Sequence, residues 1–88
     1  MDDAALLQEF EALAERLSIQ VRYADLEREG GLCRYRDGDH LIINKRLTPQ
    51  AKIAVFARAL APFPLDDVFV IPAIREALDA YRLDRENA

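Results

Sequence analysis

The chain has one histidine, one cysteine and no tryptophan, and these scarcities remove several chemistries before any motif is considered. A lone Cys33 excludes an internal disulfide and suits a reducing compartment. A lone His40 leaves a zinc site built on paired imidazoles without its second ligand. Gly30-Gly31 is followed by no glycine-rich helix start, so it reads as a bend and not as a phosphate cradle. No apolar run approaches the roughly 20 residues that cross a bilayer. The first ten residues, MDDAALLQEF, are acidic where a secretion signal would be basic. These features together lead to the expectation of a soluble cytoplasmic protein.

What is present fits a single domain of 88 residues, 51% of them hydrophobic, around one thin core. The net charge of −4 is unevenly spread. Residues 1–33 carry eight acids and three bases, residues 34–58 two acids and six bases, and residues 59–88 six acids and three bases. The middle third is therefore basic between acidic flanks. Its cations form an anion site only if Arg34, Arg36, Lys45 and Arg46 converge; otherwise the flanks neutralise them.

Asp2 and Asp3 can cap a first helix, along which Leu6, Phe10, Leu13 and Leu17 recur at helical spacing to about Leu17. Ile19-Gln20-Val21-Arg22-Tyr23 then alternates with period two, which predicts a strand with Ile19, Val21 and Tyr23 inward. Asp37-Gly38 between two strand-like runs predicts a hairpin over 31–44 closed by a type I′ turn. That register pairs Arg36 with Asp39, Tyr35 with His40, Arg34 with Leu41 and Cys33 with Ile42. Cys33, Tyr35, His40, Ile42 and Asn44 then share one face, and Leu32, Arg34, Asp39, Leu41 and Ile43 the other.

Thr48-Pro49 is a hydroxyl N-cap followed by proline at the first helical position. The helix it opens, up to Ala61, is apolar almost all round, as expected of an element central to the fold or covered by a second subunit. Leu65 to Pro72 reads as an extended connection or short edge strand, and Pro72 starts a last helix. The expected fold class is α+β: a helix, a three-stranded mainly antiparallel sheet, then two further helices packed on it.

A strand ending Ile-Ile-Asn, a short basic turn, a Thr-Pro helix start and an Ala-rich helix resemble the small zincin core of the ImmA/IrrE metallopeptidase family. Aligned on Asn44, the segment Phe56-Ala57-Arg58-Ala59-Leu60-Ala61-Pro62 stands where that family carries L-A-H-E-L-G-H. Arg58 and Pro62 occupy the places of the two zinc ligands, and Ala59 that of the general-base glutamate. The resemblance therefore implies a degenerate relative without zinc, cofactor or peptidase chemistry, because two imidazoles one helical turn apart and an adjacent carboxylate are what such chemistry needs.

The functional expectation is a non-catalytic module that binds a protein partner or a second copy of itself. Lys45, Arg46, Val55 and Phe56 are the expected partner contacts, and Arg34 and Arg36 the expected anion contacts. The enzymatic alternative is a nucleophile at Cys33 with His40, which this register places as a diagonal pair on one hairpin face. The third alternative is weak nucleic-acid binding through the 34–46 basic patch, against which the overall acidity weighs.

Overall fold

The starts of the first two helices are each fixed by a side chain that satisfies an otherwise unpaired backbone donor. Asp2 Oδ1 accepts from the Ala5 N–H at 2.8 Å and opens α1 (Asp3–Arg16). Thr48 Oγ1 accepts from the Ala51 N–H at 3.2 Å and opens α2 (Pro49–Leu60), with Pro49 at its first position. The last helix, α3, covers Pro72–Asn87. The computed structural model describes residues 1–87, with side chains through Arg82. Between α1 and α2 lie three strands, β1 (Ile19–Ala24), β2 (Gly30–Tyr35) and β3 (Gly38–Asn44), so the chain has the α+β class that its sequence implies.

The sheet is open and mixed, with the order β1-β3-β2. β1 runs parallel to β3 and β2 antiparallel to it, which places the last strand of the hairpin in the centre. The hairpin register differs from the expected one. Arg34 pairs with Asp39, Cys33 with His40 and Leu32 with Leu41, a shift of two residues along β3. The two turn residues are Arg36 and Asp37, and neither has the positive φ that both central positions of a type I′ turn need. Gly38, at φ 127°, opens β3 instead, and the Asp37 carboxylate turns back onto His40. Because the shift is even, every side chain keeps its expected face.

One face of the sheet carries Ile19, Val21, Leu32, Leu41 and Ile43 toward α1 and α2, and the core forms there with Phe10, Leu13, Phe56 and Leu60. Fully burying such a side chain contributes about 1.5–3 kcal/mol. α3 docks against α1 and α2, not on the strands, and adds Ile74 and Leu78 to the same core. Residues 65–71 form turns and irregular chain, so of the two expected alternatives, an extended connection or a short edge strand, the strand does not form. Proline at 64 and 72 and the paired acids Asp66-Asp67 oppose strand pairing there. No described helix is long and apolar enough to cross a membrane.

The apolar surplus of α2 is internal. Val55 and Phe56 are 3% and 0% exposed, and Ala57 and Leu60 are buried with them. The expectation that Val55 and Phe56 face a partner is therefore corrected: α2 lies between α1, the sheet and α3, so three neighbours within the chain cover it.

Candidate functional site

The second face of the sheet has no helix over it. Alternation along the strands sends Gln20 and Arg22 of β1, His40 and Ile42 of β3, and Gly31, Cys33 and Tyr35 of β2 to this side. Ile42 and Cys33 are half-buried and stand apart from the core, while Tyr35 is 56% exposed. Arg22, Tyr35, Arg36, Asp37, His40 and Ile42 line a shallow cavity of about 490 Å³ on this face.

His40 organises one end of it. Its Nε2 lies 3.1 Å from Asp37 Oδ1, and its ring meets that of Tyr35 edge-on with centroids 4.8 Å apart. These two neighbours leave His40 only 5% exposed although no helix covers it. The hydrogen bond from His40 holds the Asp37 carboxyl below its ordinary pKa, and the imidazole and Arg22 charges act in the same direction.

Cys33 and His40 are direct cross-strand partners rather than the expected diagonal pair. The imidazole is nevertheless committed to Asp37 and Tyr35, and among the described residues it makes no hydrogen bond to the thiol. A thiol without a base in hydrogen-bond contact lacks the activation that nucleophilic catalysis uses. No group of three or more His, Cys, Asp or Glu side chains is placed to hold a metal among the described residues.

The four central cations do not converge. Arg34 points to the helix side and pairs with Asp39 at 3.4 Å. Lys45 and Arg46 both reach Asp25, at 3.5 and 2.8 Å. Arg36 sits in the hairpin turn at the far end of β3, roughly 20 Å away at strand rise. Arg34 is paired within the hairpin, Lys45 and Arg46 share the one Asp25 carboxylate, and Arg36 has no ion pair among the described residues, so the condition for an anion site, convergence of the four, is not met. Arg22, which the alternation of β1 places outward, is the cation that instead joins Arg36 on the open face.

Arg58 and Asn44 have structural tasks. The Arg58 guanidinium pairs with Glu29 and donates to the Gly30 carbonyl at 3.4 Å, tying α2 to the start of β2. Asn44 closes β3 by donating to the Leu26 carbonyl and accepting from the Arg46 N–H. A cavity of about 450 Å³ beside the end of α2 is bordered by Arg82, whose guanidinium already donates twice to the Ala61 carbonyl.

No family model, curated protein or solved structure matches this chain.

Proposed function

We propose that this chain is a non-catalytic interaction module that docks a protein through the open sheet face and the adjoining edge of β2. One observation carries the reading: all three helices gather on one side of the sheet, leaving Tyr35, Ile42, Cys33 and Arg22 on an uncovered side that mixes aromatic, aliphatic and cationic groups. Aromatic and arginine side chains of this kind are enriched where proteins meet. The burial of Val55 and Phe56 moves the contact surface away from α2.

The order helix, strand, hairpin, helix supports a degenerate zincin-like ancestry as part of the same proposal. Arg58, in the place of a zinc ligand, clamps α2 to β2. The cysteine-enzyme reading is the weaker one because His40 is turned to Asp37, and the nucleic-acid reading because the basic residues are separated.

Photo-crosslinking in cells producing the protein tests this. A benzoylphenylalanine at position 35 gives a discrete protein adduct, and one at the exposed helix position 54 does not. Adducts at position 54 with none at position 35 would overturn the reading.

A further inference from the structure

The hydrogen-bond phase of the hairpin shows which backbone groups of β2 are unused. The Asn44 N–H donates to the Glu29 carbonyl at 2.9 Å, and the Lys45 N–H to the Ala24 carbonyl of β1 at 2.9 Å. Even-numbered positions of β3 therefore turn to β2, and odd-numbered positions to β1. Since Gly31, Cys33 and Tyr35 pair with Ile42, His40 and Gly38, the backbone groups of Gly30, Leu32 and Arg34 point outward at the sheet edge. The Gly30 carbonyl is taken by Arg58. Leu32 and Arg34 keep both N–H and C=O free among the described residues, a short template for one more strand.

We propose that the occupant of this edge is β2 of a second copy, antiparallel about a two-fold axis at Cys33. The inference rests on the interaction-module reading and names its partner. Placing Leu32 opposite Arg34 of the copy satisfies all four free groups on each chain. Moving the axis to Leu32 requires the Gly30 carbonyl that Arg58 occupies, and moving it to Arg34 sets two guanidinium groups face to face. In the favoured register the outer face is self-complementary. Tyr35 lies over Gly31 of the copy, whose vacant side accepts a ring because a Cβ at Gly31 meets nothing within 4 Å. On the helix side the Arg34 stem covers Leu32 of the copy. The result is a continuous six-stranded sheet with one open face. A six-residue edge buries little area, so the dimer is weak and forms at high protein concentration.

The two Cys33 residues then face each other as a non-hydrogen-bonded pair, with Cα atoms at about 4.5 Å, inside the range a disulfide spans. Diamide, which takes up the two electrons and two protons released by the thiols, should trap the purified chain as a covalent dimer. Without oxidant, sedimentation should show the same association for the wild type and for Cys33→Ser. Arg34→Pro removes one outward donor while sparing the β2–β3 ladder, and Gly31→Glu fills the place of the Tyr35 ring. Each should weaken association at least tenfold with the circular dichroism and melting of the monomer retained. If Arg34→Pro fails to fold, Gly31→Glu decides alone. A wild type that stays monomeric at high concentration, or a dimer that survives these variants, overturns the inference. A heterologous adduct at position 35 alongside a monomeric purified chain would leave the module reading standing and remove self-pairing alone.

Discussion

Phe56 of α2 stacks on Phe10 of α1 with ring centroids 5.7 Å apart and an interplanar angle of 26°, both rings fully buried. This contact makes α2 an internal scaffold. Truncating such a ring costs about 3–5 kcal/mol through lost burial and the cavity left behind. Phe56→Ala should lower the urea midpoint accordingly, and Phe56→Asp should abolish folding instead of yielding a folded monomer. Circular dichroism of the two variants distinguishes these outcomes from those of an interface residue.

Gly30 and Gly31 are adjacent in sequence and opposite in requirement. Gly30 has φ 113°, and a Cβ there would collide with the Ile42 carbonyl, whereas Gly31 has open space on its outer side. Gly30→Ala should destabilise by about 2–3 kcal/mol from backbone strain and the displaced carbonyl. Gly31→Ala should be within about 0.5 kcal/mol of the wild type, as other substitutions in open positions are. Chemical denaturation of the pair checks the contrast.

Tyr23 donates to Glu11 Oε2 at 2.7 Å, and the Lys52 ammonium lies 5.3 Å from its ring. Partial burial first, and then the hydrogen bond to and charge of Glu11, push the phenol above its ordinary range. A raised folded-state pKa means that its contribution to stability is complete below the free-phenol value of about 10 and is lost only as pH rises through the folded one. The ultraviolet phenolate signal that Tyr23→Phe removes should therefore appear at higher pH than free tyrosine, and Glu11→Gln should bring it down.

Asp37 behaves in the opposite sense. Its folded pKa is depressed below 3.8, chiefly by the hydrogen bond from His40. The stabilisation is present above the unfolded value and disappears as pH falls through the folded one. Asp37→Asn should lower the urea midpoint near neutrality by a small amount, since the carboxylate is exposed, and the difference from the wild type should close as pH falls below the ordinary carboxylate range and through the depressed folded value.

Much of this architecture is legible in the sequence because the signals are local. The Asp2 and Thr48-Pro49 caps, the alternation that makes Ile19 to Tyr23 a strand, and the Asp-Gly hairpin each act within a few residues, although Tyr23, expected inward with Ile19 and Val21, is 38% exposed. The turn register was not legible, because it depends on the Asp37 side chain reaching His40 and on Gly38 carrying the positive φ itself. The site was harder still. Helix α2 looks partner-facing from its composition because sequence does not state how many elements surround it, and here α1, the sheet and α3 do. The outer-face set of Cys33, Tyr35, His40 and Ile42 follows from strand parity, and parity survived the register shift. That this face is the open one depends on all three helices lying on the other side, a tertiary fact without a local signature.

The central claim is that contact is made through β2 and the open face and not through α2. A dilution series followed by two-dimensional amide NMR tests it most directly. The account predicts concentration-dependent shifts at Gly31 to Arg36, largest at Leu32 and Arg34, with the amides of Ala54 and Arg58 unmoved. Shifts centred on α2 would contradict it, and a spectrum unchanged across the series would remove self-pairing alone.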